Sequence, residues 1–332
     1  TTNAIRWAEA LRVAQPARAI WSRAARAQWL YSDDEPLSQL ATWLSEVIAM
    51  ATLESAYAQA EWLQGQTDAA LASFHDLVLI GRRLSGGGPL IQVLGGWEVT
   101  EEALRCARRL ARLASNESEI KTILHTLGDL EPFTETATEG FRVETVALLN
   151  MAQQILSVLW VGHPPVPGAP RLPGQVRELN RRLLARLGSE PSGTQRRIVA
   201  AMSLLMVALR DPAAAESYEA LRQQVRAPSA LLDDPVATLL LRAFLPDVTA
   251  LRHRMQQMAE EAAATRWVLA VQHFALANGR MPASLEEAAS AFDQAGVERP
   301  ATGRLSLLVR GASWFVAGDR GRAYGLTDAP AP

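Results

Sequence analysis

The sequence predicts a mainly α fold: antiparallel helical hairpins, repeat-like but irregular, with a small C-terminal β-hairpin or meander. Three observations lead there. Ala, Leu, Arg, Glu and Gln dominate, and apolar residues recur at spacings of three and four. Glycine and proline clusters interrupt long helical runs rather than short alternating ones. Only residues 303–327 alternate short β-prone runs with glycine turns. Of 332 residues, 48% are hydrophobic and 20% charged, a globular composition that excludes a largely disordered chain.

The elements follow in order. Residues 4–14 read as a first helix, and Pro16 suits the first turn of a second that runs to about Tyr31. Ser32-Asp33-Asp34 supplies capping residues for a helix over 36–64, which Gly65 ends. Helices are predicted at 67–84 and 89–114, separated by Gly86-Gly87-Gly88. Gly95-Gly96 inside the second marks a kink or a close crossing, since each glycine costs about 1 kcal/mol against alanine. Ser115 or Asn116 caps a short helix to Leu127, and a long helix occupies 133–161. Residues 163–174 carry five prolines, which reads as a semi-rigid connector between a domain at 1–162 and one at 175–332. The second domain is expected to hold helices at 175–187, 194–210, 212–226, 235–245 and 247–277. Asp211 and Asp234 cap those that open on Pro212 and Pro235. The β appendage at about 303–327 draws on Leu305–Val309, Trp314–Ala317 and Ala323–Leu326.

The net charge of −2 hides a pattern. Residues 1–32 carry five arginines and one acid, residues 33–162 eight bases and eighteen acids, and residues 163–332 twenty arginines and sixteen acids. No segment is basic enough for phosphate-backbone binding to lead, so nucleic acid is not an expected partner. A single cysteine, Cys106, excludes an internal disulfide and a cysteine-based zinc site. The longest apolar stretch, Ile198–Leu209, falls short of the ~20 residues of a membrane span. The sequence opens on Thr1, so either it begins within a longer chain or a signal or anchor has been removed.

Two segments resemble known families. Gly65 to Leu77 resembles the turn and second helix of a tetratricopeptide repeat, with Gly65 at the turn, Ala69 or Ala70 at the close approach and Phe74 in the groove. Arg266 to Glu287 looks like the helix-then-turn segment of pseudopilin-type proteins. Gly279 takes the helix-ending role, Pro282 the turn and Ser284 the cap of a short second helix. The segment lies far from the N-terminus, unlike its place in a pilin. The layout as a whole is similar to a group of uncharacterised, mostly helical bacterial envelope proteins that pair an N-terminal anchor and a repeat-like body with this C-terminal segment. That resemblance implies a cell-envelope location, membrane-associated or periplasmic, and transfers no catalytic residue.

Catalytic motifs are weak or absent. Ser118-Glu-Ile-Lys121 matches S-x-x-K, but Lys121 is the only lysine, so the companion K-T-G cannot exist. None of His75, His125, His163, His253 and His273 lies in H-E-x-x-H or in E-x-x-H. Gly86-Gly87-Gly88 is followed by no Gly-Lys pair and preceded by helix, so a phosphate loop is not expected. Cys106 has arginines around it, but its helical position aligns with Ala103, Leu110 and Leu113, which points to a buried, inert thiol. No catalytic, cofactor or metal residue is assigned, and no cofactor is expected.

The positive signal is aromatic. Trp7, Trp21, Trp29, Trp43 and Trp62 fall in the first 62 residues, and Arg18, Arg23 and Arg26 accompany them with no acid between Glu9 and Asp33. Tryptophan with arginine suits a partner groove or a membrane surface. The expectation is a non-catalytic scaffold or accessory subunit of a bacterial membrane or envelope protein complex, docking through Trp7, Arg18, Trp21, Arg23, Arg26 and Trp29. Two alternatives stand beside it: a helical domain that binds a small ligand, or an enzyme whose site is assembled from scattered carboxylates such as Glu98, Glu101 and Glu102.

Overall fold

The structure, a computed structural model, describes residues 15–26, 37–128, 133–157, 174–186, 191–303, 305–310, 313–318 and 322–326. The expected helix at 4–14, nearly all of the 163–174 connector, Trp7 and Trp29 lie outside the described residues. Within them the protein is mainly α with a small C-terminal sheet. The chain forms two compact units, one of residues 1–133 with 256–332 and one of residues 134–255.

In the first unit, α1 (15–26) is followed by α2 (Leu37–Leu63), α3 (Thr67–Ser85), α4 (Leu90–Leu113) and α5 (Glu117–Leu127). The antiparallel hairpin of α2 and α3 turns at Gly65, whose φ of 77° lies in the left-handed region that glycine enters freely. Helices α2, α3 and α4 each pack against the other two. The α3–α4 crossing is closed by glycines. A Cβ on Gly96 would stand 2.5 Å from Ser85 Oγ and 2.6 Å from its backbone nitrogen, and one on Gly81 would stand 2.7 Å from Thr100 Oγ1. Gly95-Gly96 therefore marks a close crossing rather than a break, since α4 runs unbroken through it. Asn116 caps α5, its side chain accepting from Glu119 N at 3.0 Å.

The remainder of this unit is C-terminal sequence. From Gln256 onward, α12 (Val248–Asn278) belongs to it, and Trp267, Val268, Leu269, Ala270 and Val271 are fully buried there. Gly279, at φ 65°, ends α12. A 3₁₀ turn (Glu286–Ala288) and α13 (Ser290–Ala295) follow, with Ser284 Oγ accepting from Glu287 N at 3.4 Å. Phe292 of α13 meets Trp267 edge to face, with centroids 4.9 Å apart, and the Ala295 carbonyl lies 3.0 Å from His125 Nδ1. The sheet is an antiparallel meander in the order β1 (Ser306–Arg310), β2 (Ser313–Ala317) and β3 (Ala323–Tyr324), with Leu308 opposite Phe315 and Val316 opposite Tyr324.

The second unit is built from most of α6 (Phe133–Leu156), α7 (Gly174–Arg186), α8 (Pro191–Arg210), α9 (Pro212–Arg226), α10 (Ala230–Asp233), α11 (Pro235–Phe244) and the first turns of α12. Asp211 accepts from Ala213 N and Asp234 from Ala237 N, and a proline opens each capped helix, as the sequence pattern predicts. Arg242 of α11 donates to the carbonyls of Val225, Arg226 and Ala227, satisfying the end of α9. Among the described residues no helix is long and apolar enough to cross a membrane.

Candidate functional site

Helix α1 carries the described part of the docking region expected from sequence. Its residues divide by periodicity. Trp21 and Ala25, four apart, are buried, whereas Ala19, Arg23 and Arg26 share the exposed face. Ile20 is 60% exposed beside that face. Trp21 is only 5% exposed, so it packs α1 onto the unit instead of presenting a free indole surface.

Arg18 is likewise held within the unit. Its Nε donates to both oxygens of Glu54 at 3.2 and 3.1 Å, and Nη1 donates to Glu61 Oε1 at 2.9 Å. Nη2 reaches Glu54 Oε1 at 3.0 Å and Ser73 Oγ at 2.6 Å. Ser73 donates in turn to Glu61 Oε2 at 2.8 Å, and the guanidinium lies 4.1 Å over the Tyr57 ring. Glu54, Tyr57 and Glu61 occupy positions i, i+3 and i+7 of α2, one face of the helix. Burial pushes the Glu54 carboxyl above its ordinary value, against the pull of Arg18. Arg18 is therefore an anchor for α1, and every acid it meets is already hydrogen-bonded to it.

Beneath α1 lies an apolar recess of about 220 Å³. Ala17, Ile20, Trp21 and Ala24 of α1 line one side, Trp43, Val47 and Met50 of α2 the other, and Ile80 and Leu84 of α3 the remainder. Exposed Glu46 adds one acid on the α2 side. Trp21 Nε1 is buried and has no hydrogen-bond partner among the described residues. An unsatisfied buried donor costs about 1–3 kcal/mol. Arg23 donates from Nε to the Ala19 carbonyl at 3.2 Å within α1. The site thus joins an apolar recess and an exposed cationic face at one short helix. Sequence reasoning missed the recess and Trp43's part in it. The signal was present in the spacing Trp43, Val47, Met50 on α2.

Of the carboxylates weighed as a scattered enzymatic site, Glu101 and Glu102 are tied to arginines of their own helix. Glu102 accepts from Arg105 at 3.3 Å and from Arg109 at 3.2 Å, and Glu101 pairs with Arg105. Cys106, fully buried, has its thiol pushed up to about 12 by burial, so it is a neutral thiol at physiological pH. A second buried polar cluster joins α4 to α12: Arg108 donates to Glu261 Oε1 at 3.1 Å and bonds Thr265 Oγ1, and Tyr324 donates to Glu260 at 3.3 Å. No group of three His, Cys, Asp or Glu side chains comes together to hold a metal ion among the described residues.

Comparison with known proteins finds no matching family model, no matching curated protein and no matching solved structure.

Proposed function

We propose that this protein is a non-catalytic helical adaptor, an accessory subunit that docks a partner protein on the recess under α1. The occupant we infer is an amphipathic helix of the partner, with an apolar edge seated between Ile20 and Trp43 and acidic residues lying over Arg23 and Arg26. What supports the reading most is an apolar recess lying beside the exposed cationic face of α1. Charge complementarity fixes the orientation, because Glu46 on the opposite wall repels an acidic edge. Arg18 supports it indirectly, by holding α1 rigid through Glu54 and Glu61 so that the recess is preformed. The setting of that partner in a bacterial membrane or envelope complex rests on the resemblance of the Gly65–Leu77 and Arg266–Glu287 segments.

The test is recovery of the full chain from membranes of the native organism, in parallel with Ile20→Glu and Arg23→Glu proteins. Both positions are exposed, so neither substitution disturbs the packing of α1. The proposal expects one partner in stoichiometric amount with the wild-type chain and its loss from both variants. Equal recovery with the variants, or an unaccompanied wild-type chain, overturns it.

A further inference from the structure

We propose that a second recess, confined to the second unit, binds a free α-amino acid with a linear aliphatic side chain. The recess measures about 410 Å³ and is walled by α8, α9, α10 and α11. That volume falls within the roughly 300–1,000 Å³ of small-ligand sites. Its lining divides into two ends. Thr194 Oγ1 donates to Asp234 Oδ2 at 2.9 Å, which ties the first turns of α8 and α11 together. Arg197, one turn into α8, and Asp233, next to Asp234, therefore share that end. Gln224 joins them through the antiparallel α8–α9 hairpin. Further along, Leu204, Leu221 and Leu241 supply an apolar floor.

The polar end has chemistry to spare. Arg197, Gln224 and Asp233 are exposed, and among the described residues none of their side chains makes a hydrogen bond or ion pair. A cation and an anion left unpaired at one mouth of an apolar trough complement a zwitterion with an aliphatic body. The carboxylate belongs on the Arg197 guanidinium, the ammonium on Asp233, and the side chain on the leucines. From Arg197 to Leu204 the helix rises about 10 Å, long enough for a six-carbon chain. The walls are set before any ligand arrives: Arg242 pins the end of α9, and Thr238 donates to the Ala230 carbonyl at 2.9 Å, pinning α10 to α11.

The experiment is calorimetric titration of the full chain with 2-aminooctanoic acid and its shorter homologues norleucine and 2-aminobutyric acid. Saturable one-site binding is expected, weakening about fourfold for each methylene removed. Octanoate and octylamine, each with one charge, should bind about tenfold more weakly or worse, as should 2-aminooctanoic acid with Arg197→Gln or Asp233→Asn protein. Absence of binding overturns the inference. So does equal binding of octanoate, indifference to both substitutions, or binding of a lysophosphatidylethanolamine alone, which would mark a lipid site. The first unit is untouched by these variants, so this result is independent of the docking reading.

Discussion

Replacing Gly96 by alanine sets two effects of opposite sign against each other. Alanine in a helix interior is worth about 1 kcal/mol over glycine, which favours the variant. The new methyl would lie 2.5 Å from Ser85 Oγ, 2.6 Å from Ser85 N and 2.9 Å from the Leu84 carbonyl carbon. Two of those atoms are backbone, so α3 and α4 must move apart as rigid helices. Overpacking of this kind costs about 1–3 kcal/mol, and the loss of the Thr100–Gly81 approach at the same crossing places Gly96→Ala toward the upper end. The net expectation is destabilisation by about 1–2 kcal/mol. Gly95→Ala is the internal control, because the three nearest atoms to its methyl all belong to the Leu44 side chain, Cδ2 at 2.8 Å and Cδ1 at 3.4 Å among them, with no backbone atom. It should be neutral or slightly stabilising. Urea unfolding followed by tryptophan fluorescence reads the right unit, since the described tryptophans, Trp21, Trp43, Trp62, Trp97, Trp267 and Trp314, all belong to it. A Gly96→Ala protein as stable as Gly95→Ala would refute the close crossing.

Three further outcomes follow from the buried polar groups. Arg18→Met leaves Glu54, 4% exposed at its side chain, without its cation and should lower stability by about 2–4 kcal/mol at pH 7, with Glu54→Gln recovering part of the loss in the double variant. Simple additivity of the two substitutions in urea unfolding would contradict the pairing. Burial holds His273 below its ordinary value, against the opposing pull of Glu117 and with the added push of Lys121. The unfolded chain then takes up the proton first, so this contribution is complete above about pH 6.5 and is lost as pH falls through the folded value, with a slope of up to about 1.4 kcal/mol per pH unit. His273→Gln should flatten the stability–pH curve in that window, and an unchanged curve would contradict the assignment. Cys106, with its thiol at about 12, should resist thiol reagents in the native chain and react at the rate of unfolding. Rapid native labelling would contradict its burial.

Most helices were legible in the sequence because their ends carry chemistry. Asp211-Pro212 and Asp234-Pro235 announce helix starts, and Gly65 and Gly279 announce stops. Helix α10 went unforeseen, being too short to show a 3.6-residue period. The candidate site was half legible. The joint occurrence of tryptophan and arginine drew attention to α1, but it could not sort Arg18 and Trp21, which hold the helix down, from Arg23 and Arg26, which face outward. That division depends on Glu54, Glu61 and Ser73, between 36 and 55 residues away in sequence. Pairings such as Arg108 with Thr265, 157 residues apart, leave no local pattern at all.

The most direct test of the docking account is crosslinking in the native organism from a photoreactive residue placed at position 20, with position 239 as the comparison. Both Ile20 and Leu239 are exposed, at 60% and 59%, but they lie in different units. Docking under α1 predicts one discrete crosslinked partner from position 20, abolished by Arg23→Glu, and none from position 239. No adduct at position 20, or the same adducts from both positions, would contradict it.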